Sequence, residues 1–247
     1  MDAMSSDRKG AMPEKPLSLR ERKAQLTQDE ILRAARRLFA ERGYTRTSVR
    51  DIAQAAAVSA QTVYDSIGSK QALVARLNDL IDTEAGIGAI ASAAAQSDDA
   101  REVAAMSAKI TRSIIEHCGD IVRALVTGAS AEPDLEIALA EGHRRHVEGA
   151  RMVVGLLQKM DTLDDSIEGE AAVASLAAVS DFRFALLLRD NYGWSLDRIE
   201  SWMAATSQAL LLRPHNPPEG KDGRHPAITS SEMARKPDRM KPQERSR

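Results

Sequence analysis

The stretch from Ile31 to Lys70 carries three successive helix-start signals, with so little chain between them that only short, tightly packed helices fit. Thr27 and Glu30 form a Thr-x-x-Glu capping box just before it. In such a box the hydroxyl takes a first-turn N–H, and the carboxylate reaches back to the cap's own N–H. Ile31, Ala34, Ala35, Leu38 and Phe39 follow at helical spacing, which leaves Arg33, Arg36 and Arg37 off the apolar face. Gly43 ends this first helix. Thr47 or Ser48 caps a second one, with Asp51 placed to complete a box from Ser48, and Val49, Ile52 and Ala53 supply its buried side. After the apolar turn Ala56-Ala57-Val58, Ser59 caps a short third helix, Ala60 to Ser66. Val63 and Ile67 face the core from it, and Ala60, Gln61, Thr62 and Tyr64 face outward. Gly68 closes that helix and Ser69 caps the next. Two short helices held across a tight turn make a helix-turn-helix, whose second helix lies in the major groove of DNA.

The residues Thr47-x4-Ile52-Ala53-x5-Val58-Ser59-x2-Thr62-Val63-Tyr64-x5-Lys70, preceded by Leu38-Phe39-Ala40-Glu41-Arg42-Gly43-Tyr44, resemble the TetR-type transcriptional regulators over about residues 25 to 75. The resemblance implies that Thr47, Ser59, Tyr64 and Lys70 bind phosphates, while Arg50, Ala60, Gln61 and Thr62 sit where base edges are read. Arg50 could grip guanine through its fork, Gln61 an adenine and Ala60 a thymine methyl, with Thr62 suited to either role. Two positions depart from the family pattern: Asp65 and Ser66 stand where it usually has an aromatic and often a histidine. Asp65 brings a carboxylate near phosphates, which either weakens binding or reads cytosine N4.

Charge is segregated along the chain. The net charge is −2, yet residues 20–70 hold ten Lys/Arg against six Asp/Glu, and residues 71–212 hold twelve against twenty-two. A basic head on an acidic body suits a protein that meets a polyanion by one end. Its 247 residues can bury enough surface to fold without disulfides or metal, and the lone Cys118 fits a reducing compartment. No apolar run is expected to reach the length of a membrane span, so a cytoplasmic protein with no membrane partner is expected.

Four segments follow. Residues 1–24 are a polar, flexible arm in which Arg20, Arg22 and Lys23 could reach a phosphate or the minor groove. Residues 25–70 are the helix-turn-helix domain, residues 71–212 a helical body, and residues 213–247 a disordered tail with six of the nine prolines. Turn signals divide the body into about six helices, including 98–118, 120–129 and 133–160. The next, opened by an Asp165/Glu168 box, spans 167–190 and runs to about Asn191.

The segment Leu186 to Trp202 resembles the last helix pair of many TetR-type proteins, which implies a dimer interface. Leu196, Ile199, Met203, Thr206 and Leu210 follow a spacing suited to close helix packing, and Ala174 and Ala178 lie on the small-residue stripe of the partner helix. The resemblance further implies an effector pocket in the body, with Met106, Ile110, Ile114, Leu125, Met152, Val153, Leu156 and Phe182 as walls.

The sequence carries no catalytic constellation, no nucleotide-cradling loop and no cofactor motif. His143 and His146, three apart, and the pair His117-Cys118 are candidate ligands for a metal site, but no metal is expected. The reading is an all-α protein with an N-terminal helix-turn-helix domain and a C-terminal helical domain. It is expected to act as a homodimeric repressor, bound to a double-stranded DNA operator and released by a small, largely apolar effector. A metal sensor using the body histidines and Cys118 is one alternative; a helical enzyme with a DNA-binding-like head is another.

Overall fold

The computed structural model describes residues 18–213, and among them the expected all-α architecture is present. The head comprises α1 (Leu19–Arg42), α2 (Val49–Ala55) and α3 (Ala60–Ser66). The body follows as α4 (Lys70–Glu84), α5 (Ile87–Ala95), α6 (Ala100–Ala104), α7 (Met106–Gly128), α8 (Pro133–Lys159), α9 (Gly169–Val179), α10 (Phe182–Tyr192) and α11 (Leu196–Leu211). The only extended pairing among the described residues is an isolated antiparallel bridge, Leu163 to Leu212, which ties the end of α11 to the α8–α9 connection. The expectations for residues 1–17 and for the tail from residue 214 lie outside the described residues.

The three short caps fall where the sequence puts them. Ser48 and Asp51 form the capping box of α2, Ser59 accepts from the Thr62 N–H at α3, and Ser69 accepts from the Ala72 N–H at α4. The start of α1 is different. Ser18 and Glu21 supply an earlier capping box, so the helix runs through residues 19–26 and Thr27 is interior, its hydroxyl donating to the Lys23 carbonyl. Arg20, Arg22 and Lys23 therefore stand on a helix rather than on a flexible arm.

The expected single helix over residues 167–190 is two helices. Ser180 turns its hydroxyl onto the Leu176 carbonyl, and Asp181 caps a new helix by accepting from the Arg183 N–H at 2.7 Å. The expected box at Asp165 does not form; Glu168 sits at the cap position of α9 without a side-chain bond. This break also corrects the membrane expectation. Residues Gly169–Tyr192 do reach the length and mean hydropathy, 1.7, of a membrane span. They are two segments meeting at Ser180, with Val173, Leu176, Ala185 and Leu188 packed into the body.

Two hydrophobic clusters fill the molecule. One runs without interruption from Ile31, Phe39, Ile52 and Val63 in the head through Leu73, Leu77 and Ile81 of α4 to Ile121, Leu125, Leu186, Ile199 and Met203. The other joins α6, the last turns of α8, and α9 through Val103, Val153, Leu157, Leu176 and Leu211. Head and body are thus joined by a common core rather than by a linker.

Candidate nucleic-acid interface and internal cavity

On the outward side of the head Arg50, Ser59, Gln61 and Tyr64 are exposed, and Ala60 and Thr62 are half-buried. Ser59 Oγ accepts from the Thr62 N–H at 3.0 Å and lies 2.8 Å from the Thr62 hydroxyl, so both residues are fixed at the N-terminus of α3. Gln61 Nε2 donates to Asp65 Oδ1 at 2.8 Å. A neutral amide tied to a carboxylate one turn away keeps its Oε1 and second amide hydrogen pointing off the helix, the acceptor–donor pair that adenine N6 and N7 require. The unusual acidic residue in α3 therefore holds the Gln61 side chain in place.

Two phosphate candidates behave differently from the rest. Thr47 is only 1% exposed; its hydroxyl donates to the carbonyls of Gly43 (2.9 Å) and Leu38 (3.3 Å), and its N–H donates to Tyr44. The phosphate role given to Thr47 is corrected: the side chain ties the end of α1 to the start of α2 and is not at the surface. Lys70 donates to the Tyr44 carbonyl at 2.6 Å and lies 3.7 Å above the Tyr44 ring, and burial lowers its pKa. Two of its three ammonium hydrogens remain for a phosphate.

The head is clamped to the body at two points that the sequence did not reveal. Arg36 Nε and Nη2 grip both oxygens of Asp120 at 2.6 and 2.7 Å. Nη1 reaches Glu84 at the end of α4, and Nη2 also donates to the His117 carbonyl at 2.6 Å. These α7 partners flank Cys118, where the helix is kinked by non-helical backbone angles (φ −129°, ψ 18°). Burial first, and then the Glu84 carboxylate 3.7 Å away, push the Cys118 thiol up to about 12, which keeps it protonated and unreactive. At the second point the Tyr44 hydroxyl donates to Asp134 and Thr45 donates to Glu132, both at the start of α8. Burial, reinforced by Asp134, raises the Tyr44 pKa well above its ordinary value.

Between α4, α7, α8 and α10 lies a cavity of about 410 Å3, within the size range of small-molecule sites. Its walls include five of the expected pocket residues: Met106, Ile110, Ile114, Leu125 and Phe182. The other three are corrected. Met152 is 39% exposed, Val153 is fully buried, and Leu156 packs against the second cluster. The cavity-facing side of α8 ends at Gly149, because beyond it α9 and α6 close on the helix and fill the space with side chains. Gly142 and Gly149 open that wall; at Gly149 an added Cβ would meet nothing within 4 Å.

The expected interface residues also divide. Ile199 and Met203 are 1% and 0% exposed within one chain, packed with α7 in the first cluster, so they are corrected to core. Arg112 of α7 holds α11 in that position by a 2.8 Å ion pair with Asp197. Leu196 is partly buried against the same cluster, and the Thr206 hydroxyl is spent on the Trp202 carbonyl. Ala174, Ala178 and Leu210 remain exposed, joined by Leu187 at 42%. Among the histidines, His146 Nε2 faces the Ala177 carbonyl and His117 Nδ1 the Ser113 carbonyl. Among the described residues no group of three His, Cys, Asp or Glu is close enough to hold a metal ion.

The head is a helix-turn-helix with its second helix, α3, exposed on one side, and it shares one core with a helical body, the architecture of DNA-binding regulators. Residues 31–77 match the sequence model of the bacterial regulatory proteins of the tetR family, so the head carries the DNA-binding signature of that family. Solved structures extend the likeness in fold to the body. NalD, the secondary repressor of the MexAB-OprM multidrug efflux pump in Pseudomonas aeruginosa, is 21% identical; the alignment covers 78% of this chain and 99% of that one, with a TM-score of 0.61. SmeT, solved in complex with triclosan, gives 16% identity, 77% and 94% coverage and a TM-score of 0.64. The fatty acid degradation regulator FadR of Bacillus halodurans gives 16%, 81% and 100%, and 0.62. No curated protein matches the chain.

Proposed function

We propose that this protein is a homodimeric repressor that holds a near-palindromic operator and leaves it when a small, largely apolar molecule fills the body cavity. The observation that carries this reading is the position of the cavity. Its walls come from both hydrophobic clusters, Ile81, Val122 and Leu125 from the one continuous with the head, Met106 from the other and Ile110 packed against it. An occupant wedged at that seam changes how α4 and α7 sit, and those helices carry the Glu84 and Asp120 partners of Arg36. Dimerisation uses the outward faces of the last helices, where Ala174, Ala178, Leu187 and Leu210 are unpacked within one chain. Phosphates are held by Ser59, Tyr64 and Lys70, and bases are read by Arg50, Ala60, Gln61 and Thr62. Two heads on one dimer read half-sites about 34–36 Å apart, so a tilt of several ångströms breaks simultaneous contact.

Selection of binding sites from a random DNA library tests the DNA arm of the proposal. An inverted repeat should emerge, bound with a steep salt dependence; recovery of unrelated sequences would overturn it. For release, an effector favouring the DNA-incompetent form roughly 100-fold supplies about 2.7 kcal/mol of coupling, and operator DNA must weaken effector binding by the same factor. Equal effector affinity with and without operator would remove the cavity from control.

A further inference from the structure

We infer that the ligand of the body cavity is an apolar molecule bearing an amine or ammonium group, not a carboxylate or phosphate; the inference rests on reading that cavity as the effector site. The walls are apolar, so the few polar atoms among them decide what the occupant can carry. Asn78, only 6% exposed, donates its amide nitrogen to the Ala138 carbonyl at 3.3 Å. That carbonyl can only accept, so Asn78 Oδ1 is turned the other way, toward Gly142 in the cavity wall, and it has no hydrogen-bond partner among the described residues.

The Thr111 hydroxyl spends its proton on the Ser180 carbonyl, which leaves its oxygen as an acceptor. The acidic mouth agrees. Arg145, the one arginine lining the cavity, pairs with Asp82 of the same wall at 3.0 Å and, just outside the cavity, with Asp79 at 2.8 Å and Glu141 at 2.9 Å; Arg144 shares Glu141 and also holds Glu148, so four carboxylates face two guanidinium groups. An amide oxygen that faces the cavity without a protein donor, beside carboxylates that outnumber the arginines they pair with, favours a ligand that brings a donor and positive charge. An anionic headgroup would meet repulsion and leave Asn78 unsatisfied.

The test is calorimetric titration of the full chain with three probes that share one tail: decylammonium, decanol and decanoate. The expected order is ammonium, alcohol, carboxylate, with decylammonium at least tenfold tighter than decanoate. In Asp82→Asn that ratio should shrink severalfold, and in Gly149→Leu, whose new side chain takes up part of the cavity, all three probes should bind at least severalfold more weakly. Decanoate bound as tightly as decylammonium would overturn the ligand class while leaving the cavity reading intact. If none of the three binds, or if all three bind Gly149→Leu as tightly as the parent protein, the cavity reading falls with it.

Discussion

The two hydrophobic clusters differ in what they connect. The first carries Ile31, Leu38, Ile52 and Val63 of the head into contact with α4, α7 and α11; the second joins α6, the end of α8 and α9 with the first residue of α7 and the last of α11. A perturbation in the first cluster reaches the DNA-facing helices through continuous packing, because close-packed interiors transmit strain. The second is a brace. The cavity opens where they meet, which is where a molecule can act on one cluster by leaning on the other.

The strongest way to break this comparison is at Met203, which is fully buried in the first cluster. Met203→Glu places an unpaired carboxylate there and should cost about 3–5 kcal/mol, seen as loss of a cooperative thermal transition by circular dichroism. A folded, soluble monomer would instead return Met203 to a subunit interface.

Arg36→Ala removes the clamp between α1 and the α7 kink and should cost about 1–3 kcal/mol. Differential scanning calorimetry should show the melting temperature lower by several degrees, since each kcal/mol is about 2–4 °C at this chain length. The pH dependence has a defined sign. Burial alone would raise the Asp120 pKa, but the Arg36 hydrogen bonds outweigh it and the carboxyl is held below its ordinary value. A depressed folded pKa contributes stability above the unfolded value, about 3.9 for an aspartate, and loses it as the pH falls through the folded one. The gap between parent and variant should therefore be constant from pH 7 to about 5 and close in more acidic solution; a gap that widens on acidification would exclude the Asp120 pair as its source.

At the DNA face Gln61→Ala should cost about 1–3 kcal/mol on the selected site and almost nothing on random DNA. Asp65→Ala, which frees Gln61, should have a smaller effect with the same selectivity. Lys70→Ala should weaken all sequences alike and reduce the salt slope by about one. Fluorescence anisotropy on both DNAs separates the two patterns, and equal losses at Gln61 would take it out of base reading.

The smallest effect on stability is expected for Leu210→Glu, within about 0.5 kcal/mol because the position is exposed. Sedimentation should nonetheless show monomers, and an intact dimer would take Leu210 out of the proposed interface.

The amino-acid sequence by itself determined the parts ruled by local chemistry. Ser48, Ser59 and Ser69 cap helices with hydroxyls that reach backbone groups two or three residues away, so the head is written in short range and legible there. The family resemblance likewise pointed to Met106, Ile110, Ile114, Leu125 and Phe182 as inward-facing walls of a pocket. It could not say whether inward meant cavity or core, nor whether Met203 faced a partner chain or its own α7. Ser18–Glu21 and Ser180–Asp181 are also local signals, and reading them would have moved the start of α1 and split the helix after residue 167.

Only the tertiary structure decided the rest. Thr47 is buried because two carbonyls of a different helix end receive its hydroxyl, and Arg36 meets Asp120 across 84 residues of chain. The cavity exists because Gly142 and Gly149 stand in its wall, where longer side chains would project into it. Each of these depends on which helix faces which. A side-chain period repeats every few residues and carries no information about the partner across the gap.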